Sequence, residues 1–188
     1  MVKDYYIKNM VCDRCIKVLK DELNDHNIEL LQIELGRLRL HIESDDTLEK
    51  LETILEKNGF SLIGNTEEKL TEQIKLELIK TLQKLPLELK KKLSVHLSDK
   101  LGHEYSKISK VFSFTEGVTI EKYFIKLKIE KVKELIQAKE LNFTEMAHLL
   151  DYSHINHLSG QFKSETGMSL SDYKSQQRNF RNSLDKII

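Results

Sequence analysis

Apolar positions along this chain follow two rhythms, and the change from one to the other divides it. "YYIKNM" (5–10) is a short run of aromatic and branched residues suited to a strand. Ile16, Leu19 and Leu23 then recur at helical spacing, which predicts a helix from about Asp13 to Asp25. In "ELLQIELGRLRLHIE" (29–43) the period is two. After a break at Gly36, Leu38, Leu40 and Ile42 alternate with Arg37, Arg39 and His41, predicting a hairpin. "DDTLEKLETILEKNGF" returns to helical spacing through Leu48, Leu51, Ile54 and Leu55 and stops at Asn58-Gly59; "FSLIG" then supplies a last strand. Strand, helix, strand, strand, helix, strand is the order of the split β-α-β, or ferredoxin-like, fold.

Beyond Gly64 the rhythm is helical throughout. Asn65 followed by Glu68 suits an N-cap and capping pair, and Leu70, Ile74, Leu78 and Leu82 form one stripe that Pro86 ends. Such a helix could join two domains, pack on the next one, or pair with its copy in a homodimer. The expected class is α+β. A β-α-β-β-α-β domain spans 1–65, a linker helix 66–85, and an all-α domain 86–188.

The all-α part repeats itself at an offset of 50 residues: "ISKVFSFTEGVTIEKYF" (108–124) aligns without gaps with "LSGQFKSETGMSLSDYK" (158–174). Ile108/Leu158, Ser109/Ser159, Phe112/Phe162, Gly117/Gly167, Val118/Met168, Thr119/Ser169, Ile120/Leu170 and Tyr123/Tyr173 match, too many positions for chance. Each copy reads as helix, tight turn, helix. The first turn is near Gly102 and the second near Asp151-Tyr152. Thr144 and Ser153 are suitable N-caps, and Gly117 and Gly167 suitable C′ residues. Between the copies "TIEKYFIKLKIEKVKELIQAKE" predicts a long helix with an apolar stripe at Phe124, Leu127, Val132, Leu135 and Ile136.

"GVTIEKYFIKLKIEKVKELI" and "NFTEMAHLLDYSHINHLSGQFKSETGMSLSDYK" resemble the DNA-binding domain of AraC-type transcriptional regulators, over about residues 86–178. Phe162, Lys163 and Gly167 fall on that family's helix-ending F-K-x-x-x-G signature. The resemblance implies two helix-turn-helix units joined by a connecting helix. Their recognition helices would enter successive major grooves, about 34 Å apart. With Leu158 and Phe162 inward, 100° per residue turns Ser153, Asn156, His157 and Gly160 outward; the same construction about Ile108 and Phe112 exposes His103, Ser106, Lys107 and Lys110. Asn pairs bidentately with adenine, and Lys donates to guanine or phosphate. Together with Lys163 these nine are the expected DNA-binding residues. Two departures weaken the second unit: Asp151 stands where the family has its turn Gly, and Gly160 where members often carry Arg. Lysines 122, 126, 128, 131 and 133 of the connecting helix are expected to form a solvated face.

Composition narrows the classes. Hydrophobic residues make up 39% and charged residues 32%, with one Pro and seven Gly, so long helices are expected. No apolar run approaches the roughly 18 to 20 residues that cross a bilayer, and "MVKDYY" is no signal sequence, which points to a cytoplasmic protein with no membrane partner. Net charge is zero but uneven. Residues 1–66 hold 9 Lys/Arg against 13 Asp/Glu, a balance of −4, and residues 67–188 hold 21 against 17, a balance of +4. No phosphate loop, carboxylate pair or nucleophile triad suggests an enzyme.

Both cysteines lie in one C-x-x-C, Cys12 and Cys15, at the start of the first predicted helix. Helix-terminal amides and the macrodipole favour a thiolate there. Two thiolates can hold a soft ion, Cu(I), or Zn(II) with further ligands, for which His26 and His41 are candidates. Redox cycling or plain packing are the alternatives; a thioredoxin-like enzyme is not suggested, because there is no Trp and the only proline is Pro86. Met10, Cys12 and Cys15 fall on the M-x-C-x-x-C of the heavy-metal-associated domain, which residues 3–64 resemble, with Asn9 in place of its usual Gly. The expected function is a transcriptional regulator binding double-stranded DNA in response to a soft metal or thiol state. A metal carrier whose helical half docks a partner, or a DNA-binding regulator with a non-functional sensor, are the competing expectations.

Overall fold

A computed structural model describes residues 1–42, 44–89, 91–176 and 181–187. The chain divides into two compact units, Met1–Leu76 and Glu77–Ile188. Glu43, at the end of the expected hairpin segment, and residues 177–178, at the end of the AraC-like stretch, lie outside the described residues.

In the first unit the elements run β1 (Val2–Lys8), α1 (Asp13–Asp25), β2 (Leu30–Glu34), β3 (Arg37–His41), α2 (Asp45–Lys57) and β4 (Ser61–Leu62). The four strands form one sheet in the order β2-β3-β1-β4, antiparallel at every pairing. Alternation decides the faces: Tyr5 and Ile7 of β1 and Leu38 and Leu40 of β3 turn into a core with Leu19 and Leu23 of α1 and Leu51, Ile54 and Leu55 of α2. Ser44 caps α2 by accepting the Thr47 amide at 3.4 Å.

The first strand begins and ends earlier than the expected 5–10. Asn9 takes a left-handed φ of 69°, so the chain turns out of the strand. Met10 is then fully buried in the core. Asparagine tolerates that conformation better than most side chains, so it can stand where a glycine would be the default. Its side chain donates to the Gly59 carbonyl at 3.3 Å. The hairpin turn carries a true glycine requirement. Gly36 has φ 77°, and a Cβ there would lie 2.6 Å from a Leu76 methyl.

The helix α3 (Thr66–Gln83) runs through the division between Leu76 and Glu77. Asn65 caps it, accepting the Glu68 amide at 2.8 Å. The predicted stripe of Leu70, Ile74, Leu78 and Leu82 is buried within the single chain, and so are Thr71, Glu72, Leu76 and Ile79. Lys69 sets its ammonium 3.5 Å from the Tyr6 ring centroid, and Glu72 accepts the Asn9 amide at 3.3 Å.

The second unit is helical: α4 (Leu93–Leu101), α5 (Tyr105–Glu116), α6 (Ile120–Ala138), α7 (Phe143–Leu149), α8 (Ile155–Thr166) and α9 (Leu170–Gln176), then a 3-10 turn at Leu184–Lys186. Ile120, Tyr123, Phe124, Leu127, Ile129, Val132 and Ile136 bury much of the length of α6. A glutamate–histidine pair joins the end of α3 to α4, with Glu77 Oε1 2.8 Å from His96 Nε2. Among the described residues, no helix is long and apolar enough to cross a membrane.

Candidate nucleic-acid interface and cysteine site

The sequence repeat is a repeat in space. In the first copy Phe112 packs on Tyr123 with ring centroids 5.4 Å apart. In the second, Phe162 packs on Tyr173 at the same 5.4 Å. Gly117 and Gly167 end α5 and α8 in the left-handed conformation, at φ 69° and 74°. Thr119 then caps α6 by accepting the Lys122 amide at 3.2 Å, and Ser169 caps α9 by accepting the Asp172 amide at 3.1 Å. These four matched pairs thus serve the same ends in both copies: bury a ring, stop a helix, start the next.

The turns differ. The left-handed residue is Gly102 in the first unit and Asp151 in the second, at φ 68° and 59°. It precedes the following helix by three positions in one case and four in the other, so the second turn is a residue longer. Asp151 does adopt the conformation that favours glycine, and the surroundings supply the restraint. Lys128 of α6 donates to the Leu150 carbonyl at 2.8 Å. Its ammonium also lies 4.7 Å from the Tyr152 ring centroid and 5.4 Å from that of Phe124. Burial lowers the Lys128 pKa, partly opposed by the Asp151 carboxylate. Burial pushes the Tyr152 hydroxyl up to about 12, and that hydroxyl donates to Gln161 of α8 at 2.7 Å. One lysine and one tyrosine therefore tie the turn to the helices on either side.

This corrects the expectation of a solvated lysine face on α6. Lys122 is exposed, but Lys128 is partly buried and Lys133 is buried. Lys133 donates to Glu130 at 2.5 Å, and both side chains are less than a tenth exposed. The capping expectation is corrected too. Thr144 lies inside α7; the cap is Asn142, which forms a reciprocal capping box with Glu145. Ser153 precedes α8, whose N-cap is His154.

All nine expected DNA-binding residues are solvent-exposed. His103 sits in the first turn and Ser106, Lys107 and Lys110 on α5; Ser153 sits in the second turn and Asn156, His157, Gly160 and Lys163 on α8. The Ser153 hydroxyl and His157 Nδ1 are 3.0 Å apart. The ring of His154, which sequence reasoning passed over, stands edge-on to that of His157 at 6.1 Å. A second omission is Phe114. It lies in the last turn of α5 and is 82% exposed. Selecting outward residues for polarity hid it, although the same 100° construction finds it. Tyr105 donates to Glu121, bracing α5 against α6. Burial first, then this bond, raises the tyrosine pKa. The bond also holds the Glu121 carboxyl below its ordinary value.

A family model described as a helix-turn-helix domain matches residues 97–176. Both copies of the repeat lie within that match. Among solved structures, the C-terminal domain of AraT, a response regulator from Geobacillus stearothermophilus, is 18% identical, with a TM-score of 0.51 over 61% of this chain and 90% of that one. A transcriptional regulator from Chromobacterium violaceum, described by its AraC-type DNA-binding domain, is 13% identical, with a TM-score of 0.50 over 58% of this chain and 96% of that one. At those identities the likeness is one of fold alone. A search of curated proteins finds no match.

Ahead of the helix-turn-helix domain, Cys12 and Cys15 lie at the start of α1, with Cys12 its N-cap. Their sulfurs are 3.3 Å apart and both thiols are free. The Cys12 carbonyl accepts the Cys15 amide at 2.9 Å, which folds the loop back over its own first turn. The expectation of a favoured thiolate does not hold at Cys15. Burial and the hydrogen bond to the Cys12 sulfur raise its pKa, outweighing the backbone bonds that lower it. Neither candidate histidine is a neighbour of the pair. His26 follows the last residue of α1 and contacts the Glu22 carbonyl at 2.8 Å. His41 contacts Glu29 at 2.9 Å. Among the described residues no group of three or more His, Cys, Asp or Glu could hold a metal ion.

Proposed function

We propose that this chain is a cytoplasmic, sequence-specific DNA-binding transcriptional regulator whose N-terminal module reports a soft metal ion or thiol state. One observation carries the DNA-binding part. Two copies of one helix-turn-helix unit bury the matched Ile108/Leu158, Phe112/Phe162, Ile120/Leu170 and Tyr123/Tyr173 and expose His103, Ser106, Lys107 and Lys110 on one, and Ser153, Asn156, His157, Gly160 and Lys163 on the other. In this reading Lys107, Lys110 and Lys163 donate to phosphate or guanine, Asn156 reads adenine, and Ser153 and His157 act as a hydrogen-bonded pair. Gly160 contributes a close backbone approach and no side-chain donor.

The N-terminal sheet order and the M-x-C-x-x-C loop support a ferredoxin-like, heavy-metal-associated module. Two sulfurs 3.3 Å apart on a buried Met10 base suit an ion content with two soft donors, as Cu(I) is. Zn(II) normally takes four ligands, so it would need two from outside this module. The thiol protons must leave for an ion to bind, so affinity falls as pH falls. A tenfold change in DNA affinity requires a coupling of about 1.4 kcal/mol between the two sites.

The test uses the reduced full-length chain. Duplexes are selected from pooled genomic fragments, and Kd for the selected duplex is measured with and without Cu(I). The expected result is at least a tenfold change in the wild type that disappears in the Cys12→Ser/Cys15→Ser variant. Equal affinities in all four measurements would remove the sensor from the account and leave the DNA reader.

A further inference from the structure

Phe114 is the largest exposed apolar side chain of the helix-turn-helix domain, at 82% exposure, while Phe112 two residues earlier has none. Helical geometry shows where it points. Relative to Lys107 at 0°, successive 100° steps put Lys110 at about −60°, Phe114 at about −20°, and the buried Ile108 and Phe112 at about 100° and 140°. Lys107, Lys110 and Phe114 therefore share one outward arc of α5. Seven residues of helical rise separate Lys107 from Phe114, about 10 Å, or roughly three base steps at 3.4 Å each. In the second copy the matched position is Ser164, which is exposed and small. The repeat conserves its buried ring and changes this outward residue, so Phe114 is no part of the packing that the two copies share.

An uncovered phenyl ring gains by leaving water, and it needs a partner to do so. The two lysines on its arc select a polyanion as that partner. On the edge of a DNA major groove the one apolar group is the thymine 5-methyl, which phenylalanine can contact. We infer that Phe114 is a specificity-determining residue of the first helix-turn-helix unit, reading a thymine methyl beside the bases or phosphates met by Lys107 and Lys110. This rests on the DNA-reading proposal above. It also makes the two half-sites unequal, since only the first unit carries such a ring.

The experiment replaces each thymine of the selected duplex, one at a time, with deoxyuridine, which removes only the methyl group. Kd is measured at one salt concentration for the wild-type chain, Phe114→Ser and Phe114→Leu. At one or two thymines, loss of the methyl should weaken wild-type binding about fourfold, the worth of one buried carbon. Phe114→Ser should bind the all-thymine duplex about fourfold more weakly and be indifferent to uracil at those positions; Phe114→Leu should keep a reduced preference. If Phe114→Ser keeps the wild-type uracil profile, or if uracil matters nowhere, the inference is wrong; unchanged affinities throughout would instead mark the ring as a protein-docking residue. Failure of every protein to bind any duplex overturns the DNA-reading proposal, and this inference with it, which is a distinct outcome.

Discussion

At the scale of single residues, Lys128 decides how the second helix-turn-helix unit is held. It satisfies the Leu150 carbonyl and lies against two rings, Phe124 and Tyr152. Lys128→Met keeps the aliphatic stem but removes the charge-assisted bond, and should cost about 2 kcal/mol in urea unfolding. No loss would mean that Asp151 holds its left-handed turn unaided. Glu121 gives a pH signature. The Tyr105 hydroxyl lowers its folded pKa below the unfolded value near 4.3. Its contribution is therefore complete above the unfolded value and lost as pH falls through the folded one. Tyr105→Phe should be less stable than wild type at pH 7, and the gap should narrow as pH falls below the unfolded value. Sequence pattern exposed neither device. A lysine on a helix rich in lysines reads as solvated, and only the packed turn shows which one is turned inward.

Elements were largely legible because their signals are local. The helix of α1, the hairpin about Gly36 and the two left-handed helix ends at Gly117 and Gly167 all follow from spacing and turn chemistry in the sequence. Ends were less legible where two capping solutions competed. Thr144 was a sound N-cap on its own, but Asn142 with Glu145 satisfies two orphan amides at once and starts the helix two residues earlier. The first strand gave up Asn9 and Met10 for a similar reason, since burying Met10 outweighs extending a ladder. In α8 the outward Gly160 has no neighbour within 4 Å of an added Cβ. Gly160→Ala should therefore stabilise the domain by about 1 kcal/mol, the ordinary helix propensity difference. A loss of stability would mean that the helix needs its glycine.

For the whole molecule, the repeat is what connects sequence to function. It was visible as eight matched positions, and it reappears as two ring pairs with the same 5.4 Å separation. The thiol pair was equally visible, but its environment was not. That Cys15 is raised rather than lowered depends on burial, which no spacing rule contains. Above all, we propose that this chain grips duplex DNA through α5 and α8. The most direct measurement is Kd for a selected duplex against salt concentration, with the full-length wild-type chain and with Lys107→Gln/Lys110→Gln. The account predicts that log affinity falls linearly with log salt, and that the variant's slope is shallower by about one for each lysine that meets a phosphate. Salt-independent binding, or no binding of any duplex even in dilute buffer, would contradict it.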